Sequence, residues 1–234
     1  MGYNRLKFTI VAFALCALLS SASRAQSDSA SLDRVLSQMD AAAKNFRTTE
    51  ASLAWDQYQK VIDDTETQKG KIYFRRESNE IKVAVEFTEP DKKYVLYSGG
   101  KVQVYQPKID QVNEYTAGKN RGDIESFLVL GFGGAGHDLL QSYEVKYLGT
   151  ESVNGTSASK LELVPKSVHL RNNIARIILW IDPAKGVSIQ QQMFEPSGDY
   201  RLAKYTDIQV NQKLPDNVFK LKTTGKTRVI SPQS

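Results

Sequence analysis

The glycine-rich stretch GFGGAG, residues 131–136, has the G-x-G-x-x-G spacing of dinucleotide-binding loops. That chemistry needs a buried strand before the glycines and a helix after them, because the first backbone N–H groups of the helix hold the pyrophosphate. Here the acids and spaced apolar residues of 123–130 predict a short helix before the glycines, and too few residues follow to cross over a sheet. The sequence therefore argues against a dinucleotide site.

Side chains that carry metal or nucleophilic chemistry are sparse. His137 and His169 are the only histidines, and the single cysteine, Cys16, lies in an apolar run near the N-terminus. No H-E-x-x-H or G-x-S-x-G pattern occurs. The acid pair Asp63 and Asp64 falls in an expected turn, where solvated charge is the simpler interpretation. We therefore expect no metal, no cofactor and no enzymatic activity.

The N-terminus has the pattern of a secretory signal peptide. Arg5 and Lys7 precede an apolar run over residues 8–19, and small residues follow up to Ala25. The run is shorter than the roughly 20 apolar residues that span a bilayer. We predict that residues 1–25 are cleaved after Ala25 and that the mature protein is periplasmic. An uncleaved membrane anchor is the alternative.

Charge and composition narrow the class of the mature chain. The full chain carries 31 basic and 26 acidic residues, and loss of the three basic residues of the signal lowers its net charge from +5 to about +2. No window of the chain is dominated by Lys and Arg, so we do not expect binding to nucleic acid. Residues 26–234 contain no linker rich in Pro, Gly or Ser, which predicts a single domain.

The elements that position these residues are one helix followed by many strands. Apolar residues at steps of three and four from Leu32 to Phe46 predict an amphipathic helix. Period-two alternation and hairpin turns such as Gly99-Gly100 predict about eleven strands in an antiparallel meander. These strands cover residues 50–61, 68–76, 81–88, 94–97, 102–105, 111–116, 143–151, 158–165, 175–182, 187–194 and 200–210.

Several strands are apolar on both faces, as in residues 177–181. A single antiparallel sheet with one wet face would alternate instead. Either helices cover the sheet, or the sheet curls so that its inner face lines a cavity for an apolar ligand. An ordinary filled core explains the same pattern, and periodicity alone does not choose between them.

Four segments carry a family resemblance: GKIYFRR at 70–76, VAVEF at 83–87, YVLYSGGKVQVYQP at 94–107 and LPDNVFKL at 214–221. With the leading helix and the interrupting insert, the chain resembles the periplasmic lipoprotein carrier family LolA from Leu32 to about residue 222. The resemblance implies a mainly β fold with a few α-helices. It is expected to be an unclosed antiparallel β-barrel of about 11 strands, with an N-terminal helix and a short helical lid over a hydrophobic cavity.

The resemblance also implies a function. The expected protein is a monomeric carrier that binds acyl chains of lipoproteins, or another lipidated cargo, and ferries them from inner to outer membrane. Its partners would be an inner-membrane donor and an outer-membrane acceptor. An envelope-stress sensor that binds a regulatory membrane protein is the alternative, although the residues after 222 leave no room for the further interaction domain that a regulator usually carries.

The resemblance assigns roles to individual residues. Arg76 falls where the family keeps an arginine that holds the cavity closed, although Glu77 stands where the family usually has proline. A surface charge that pairs with Glu77 or Glu80 is the alternative for Arg76. The candidate lipid-binding residues are Leu53, Trp55, Ile72, Phe74, Val83, Val85, Phe87, Leu96, Phe127, Leu128, Leu130 and Phe132. The candidate hinge of the lid consists of Gly131, Gly133, Gly134 and Gly136.

Overall fold

The computed structural model describes residues 29–231, apart from 78–79, 117, 119–121, 123–124 and 126–127. The predicted signal peptide and its cleavage site lie outside the described residues. Phe127, a candidate lipid-binding residue, lies outside them as well.

The fold is mainly β, as predicted. Helix α1 covers residues 29–45, and two single-turn helices follow later, α2 (Leu139–Ser142) and α3 (Val168–Arg171). The strands are β1 (Thr48–Gln59), β2 (Asp64–Arg76), β3 (Ile81–Glu89), β4 (Lys93–Ser98), β5 (Lys101–Gln106), β6 (Gln111–Thr116), β7 (Tyr143–Val153), β8 (Thr156–Pro165), β9 (Arg176–Asp182), β10 (Val187–Phe194), β11 (Tyr200–Val210) and β12 (Arg228–Ile230). Residues 122, 125 and 128 are also helical, in the insert between β6 and α2.

All twelve strands form one sheet that does not close. Its order is β12-β6-β5-β4-β3-β2-β1-β11-β10-β9-β8-β7, so β12 and β7 are the two edges. Every neighbouring pair is antiparallel except β12 with β6, which is parallel. The unclosed antiparallel barrel is therefore confirmed. The extra strand, β12, has three residues, and a segment that short shows no recognisable alternation in sequence.

Helix α1 covers the inner face of the sheet. Val35, Leu36 and Met39 are buried against β8 and β9, and Phe46, directly after the helix, is buried against β2 and β10. These are residues of the predicted apolar stripe, which confirms the amphipathic helix. The stripe is buried because the inward-facing side chains of the strands offer it a continuous apolar surface.

Apolar side chains are buried on the outer face of the sheet as well, which agrees with the strands that are apolar on both sides. Ile177, Leu179 and Ile181 of β9 point into the inner core, whereas Ile178 and Trp180 pack outside. On β2 to β4 the outer cover is the C-terminal segment. Leu214 and Phe219 pack there on residues from the outer side of the sheet, namely Tyr73, Ala84 and Leu96.

The guanidinium of Arg75 fastens that C-terminal segment to the sheet. Its Nη1 donates to Asp216 at 2.7 Å and its Nη2 to the carbonyl of Leu214 at 2.8 Å. The same group lies 4.6 Å from the ring centroid of Phe219. In the part of the chain that the structure describes, no helix is long and apolar enough to span a membrane.

Candidate functional site

An open pocket of about 750 Å³ lies between α1, the end of β2 with the start of β3, and the insert. This volume falls within the roughly 300–1,000 Å³ typical of small-molecule sites. Apolar atoms and charged groups share its wall. The lining residues are Asp40, Ala43, Lys44, Arg76, Ile81, Glu125, Val129, Gly134, Ala135, Asp138 and Leu139.

Strand alternation places Arg76 in this pocket. It ends β2 on the same face as Ile72 and Phe74, and its register partner on β3 is Ile81, a second lining residue. Its backbone N–H donates to the carbonyl of Arg47 at 2.7 Å. Its neighbour Arg75 points to the outer face, where it binds the C-terminal segment.

The guanidinium of Arg76 is a half-buried cation. Among the described residues no hydrogen bond or ion pair joins its side chain to another group. Burial lowers the pKa of Arg76, the cation of Arg47 lowers it further, and Asp138 opposes both. Such a group is poorly hydrated and available to a polar atom of a ligand.

The alternative that Arg76 pairs with Glu77 or Glu80 is wrong. Glu77 lies 3.1 Å from the ammonium of Lys82 and 3.8 Å from Arg75. Glu80 accepts from the hydroxyl of Ser98 at 2.6 Å and also pairs with Lys82. Both carboxylates are engaged outside the pocket.

Most of the candidate lipid-binding residues line the interior next to this pocket. Leu53, Phe74, Val83, Phe87 and Phe132 are buried in one cluster of the inner face. Trp55, Ile72, Val85 and Leu128 pack at the edge of that cluster, and Leu130 belongs to the cluster under α1. The interior is therefore filled by the protein's own side chains.

Leu96 is separated from the other candidates. It lies on the outer face of β4 against Leu214 and Phe219, because it occupies the opposite alternation phase from Tyr97. It does not share the inner face with them. Conversely, Ile81, Val129 and Leu139 line the pocket but were not among the predicted residues. For Ile81 the signal was present, since it continues the alternation of Val83.

The glycines of GFGGAG follow a helical residue, as the sequence predicted. Gly131 and Gly133 have φ of +77° and +71°, the left-handed conformation that favours glycine at a helix end. A Cβ on Gly131 would lie 2.3 Å from the Cβ of Ser188, and one on Gly136 would lie 2.2 Å from the carbonyl oxygen of Leu36. Close packing therefore demands glycine at both places. The hinge role of Gly131, Gly133, Gly134 and Gly136 stays a prediction.

Hydrogen bonds fix the same segment to β10. The carbonyl of Gly131 accepts from the backbone N–H of Ser188 at 2.7 Å. The carbonyl of Leu130 accepts from the side-chain amide of Gln191 at 2.6 Å. The end of the insert is thus attached to the floor of the inner face as well as to α1.

His137 joins the insert to α1. Its backbone N–H donates to Asp40 at 3.1 Å, its Nδ1 contacts the same carboxylate, and its Nε2 lies 3.3 Å from Asp33. Hydrogen bonds to Asp40 and then Asp33 raise the pKa of His137. Burial pushes the pKa of Asp40 upward, but the hydrogen bonds from His137 outweigh it and the pKa is lowered. Within the described ranges no group of three or more His, Cys, Asp or Glu side chains could hold a metal ion.

The chain matches a known protein family. Residues 47–222 match the family model described as outer membrane lipoprotein carrier protein LolA. No curated protein matches the chain at a significant level.

Solved structures share the fold at low identity. An uncharacterized conserved protein from Thermus thermophilus has a TM-score of 0.55 at 12% identity, covering 86% of this chain and 99% of that one. MucB has a TM-score of 0.52 at 13% identity, covering 82% of this chain and 63% of that one. The chain therefore spans less than two thirds of the MucB structure. The complex of MucA and MucB from Pseudomonas aeruginosa has a TM-score of 0.48 at 12% identity, covering 82% and 61%.

Proposed function

The chain belongs to the family of the outer membrane lipoprotein carrier protein LolA, and from this membership we propose that it is a periplasmic carrier of acylated cargo. It binds the acyl chains of lipoproteins, or of another lipidated molecule, between the sheet, α1 and the insert. It receives cargo from an inner-membrane donor and delivers it to an outer-membrane acceptor. No bond is made or broken in this cycle.

The observation that carries the proposal is the position of the open pocket against the apolar inner face. Ile81 and Val129 line the pocket and pack on the cluster that contains Phe74 and Phe132. An acyl chain that enters the pocket can therefore be buried against the inner face without contacting the outer surface of the sheet. Burial of about ten methylenes at about 0.8 kcal/mol each would contribute about 8 kcal/mol before association and ordering costs, so such a chain binds no tighter than about micromolar.

Entry beyond the pocket requires the interior to open. Phe46 and Phe132 occupy the inner face, where Phe132 packs edge-on to Tyr205 at 4.8 Å between centroids. A long acyl chain has to displace such side chains, so loading and movement of the insert are coupled. This coupling suits a carrier, because closure of the insert restores buried contacts when cargo leaves.

The direct experiment is lipid identification and probe uptake. Mature protein purified from its native envelope is expected to carry lipid by mass spectrometry, and the delipidated protein is expected to bind a fluorescent fatty-acyl probe. Val129→Asp, in the pocket wall, is expected to lower the affinity of the protein for the probe. Val61→Asp is the matched control, because Val61 is 95% exposed and does not line the pocket. Absence of both lipid and probe uptake would end the proposal.

A regulatory role is the second candidate, and the likeness to MucB favours it. MucB forms a complex with MucA. A sensor of this kind would bind lipid and a membrane-protein segment without passing lipid onward. Transfer of a lipoprotein from this protein to an outer-membrane acceptor separates the two roles, since only a carrier supports it.

A further inference from the structure

Two single-turn helices, α2 and α3, each expose an apolar side chain. Val168 of α3 is 66% exposed and Leu140 of α2 is 38% exposed. The other leucines of these helices point inward: Leu139 is buried in the core under α1, and Leu170 packs against that core. We call residues 139–142 and 166–171 the α2–α3 corner.

Hydrogen bonds from Lys166 join the segment that leads into α3 to the end of α2. The backbone N–H of Lys166 donates to the carbonyl of Ser142 at 2.9 Å, and its ammonium donates to the carbonyl of Leu140 at 2.6 Å. The hydroxyl of Ser167 accepts from the backbone N–H of Leu170 at the start of α3. The exposed positions of Leu140 and Val168 are therefore set by backbone structure.

The charges around the corner are mainly basic. No acidic residue occurs between Glu162 and Asp182, a stretch that contains Lys166, Arg171 and Arg176. Glu162 lies 3.2 Å from Arg176, so those two charges neutralise each other. Lys166 and Arg171, two and three residues from Val168 in the sequence, are the other cations of this stretch.

Two exposed acids, Asp138 and Glu144, flank α2 outside the α2–α3 corner. Asp138 is exposed at the pocket wall, where it raises the pKa of Arg76, and its carboxylate accepts from the side-chain amide of Gln141 at 3.4 Å. Glu144 is exposed on β7, two residues and hence one alternation step from Lys146 on the same face of the strand. Within residues 139–142 and 166–171 themselves Lys166 and Arg171 are present and no acid is, so the corner itself is positively charged.

We propose that the α2–α3 corner docks on the surface of a membrane that contains anionic phospholipid. Leu140 and Val168 enter the interfacial region, while Lys166 and Arg171 lie at the level of the phosphates. Apolar side chains flanked by Lys and Arg are the combination that such interfaces attract. Each basic side chain contributes about fivefold to binding, so the contact is weak and reversible.

Docking at this place would bring the pocket to the membrane. Asp138 and Leu139 line the pocket, and Leu140, the next residue, belongs to the exposed part of the corner. A membrane that contacts Leu140 is therefore separated from the pocket wall at Leu139 by a single residue step. The use of this contact for cargo exchange rests on the proposed function, whereas the binding itself does not.

The proposal is tested by co-sedimentation of the mature protein with vesicles of phosphatidylethanolamine and phosphatidylglycerol, and with vesicles in which neutral phosphatidylcholine replaces phosphatidylglycerol. Binding to the anionic vesicles is expected to be at least about fivefold stronger and to fall at high salt. Val168→Asp and Arg171→Glu are each expected to weaken it at least about fivefold. Val61→Asp, a valine of the β1–β2 turn, is the control and should bind normally.

The outcomes separate this proposal from the proposed function. Acyl-probe binding in solution, measured on the same variants, should be unchanged by Val168→Asp. Wild-type protein that binds the probe but not the vesicles would overturn the docking proposal and leave the carrier role intact. Equal binding to neutral and anionic vesicles would overturn it as well. So would loss of binding in Val61→Asp but not in Val168→Asp, which would move the contact to the β1–β2 hairpin.

Discussion

Gly133 lies against the ring of Phe46 so closely that a Cβ on the glycine would be 2.1 Å from Cδ1 of that ring. Phe46 directly follows α1 and Gly133 belongs to the insert, so this contact joins two separate parts of the cover of the inner face. The ring of Phe46 also packs edge-on to Phe74 at 5.3 Å between centroids. The glycine is thus part of the core packing as well as of a turn.

Gly133→Ala is expected to destabilise the protein strongly. The new methyl group meets a buried aromatic ring, which costs about 1–3 kcal/mol, and the left-handed φ of +71° adds about 1–2 kcal/mol. Urea unfolding of the variant and the wild type measures the loss. Gly99→Ala is the control, because Gly99 has φ of +59° but nothing within 4 Å of an added Cβ. An equal loss in both variants would show that backbone strain, not the Phe46 contact, demands the glycine.

The sequence predicted most of the fold because its signals are local. Alternation and turn residues located eleven strands, and the apolar stripe of α1 located the helix. The first four residues of β2 were not predicted, since residues 64–67 are polar and exposed where β2 runs beyond the end of β3. Its strand conformation comes from pairing with β1, which is a tertiary effect.

The site was harder to predict because it depends on which face each strand turns inward. Leu96 and Val83 look alike in sequence, yet only the cover by Phe219 shows that Leu96 faces outward. Val129 lines the pocket two residues before the left-handed Gly131, where the helical part of the insert has ended. The sequence predicted that the insert contributes to the site, but it could not predict which side chains of the insert face the pocket.

Val129→Asp and Leu130→Glu are expected to separate cargo binding from stability. Val129 is partly buried in the pocket wall, so its variant should weaken binding of an acyl probe by about tenfold with little loss of stability. Leu130 is 3% exposed in the core under α1, so an unpaired charge there should destabilise the fold itself. Probe titration and thermal unfolding check both. Loss of stability without loss of affinity in Val129→Asp would remove Val129 from the binding site.

Arg76→Leu is expected to leave the fold intact and slow the release of cargo. Burial and the cation of Arg47 disfavour the charge of Arg76, and Asp138 offsets them only in part, so its removal should not reduce the free energy of unfolding. The added apolar wall should retain an acyl chain longer. The dissociation rate of a fluorescent acyl probe and the transfer rate to an outer-membrane acceptor are the measurements. Unchanged rates would show that Arg76 takes no part in cargo handling.

Arg75→Leu provides the matched control for Arg76→Leu. The side chain of Arg75 binds Asp216 and the carbonyl of Leu214 on the outer face. Its removal leaves that partly buried carbonyl without a donor, at a cost of about 1–3 kcal/mol. Arg75→Leu is therefore expected to lower the urea midpoint while probe release stays at the wild-type rate. Faster or slower release in this variant would connect the C-terminal cover to the pocket.

The contact of His137 with α1 is expected to weaken as the pH rises. Asp40 and Asp33 raise the pKa of His137, so the folded state binds its proton more tightly than the unfolded state does. The resulting stability is fully present below the unfolded pKa of about 6.5 and is lost as the pH rises through the folded value. Urea midpoints between about pH 5.5 and about pH 8.5 should therefore fall more in the wild type than in His137→Gln. His169→Gln should keep the wild-type dependence, because His169 does not contact either carboxylate. The same slope in wild type and His137→Gln would mean that the contact between the insert and α1 does not depend on this proton.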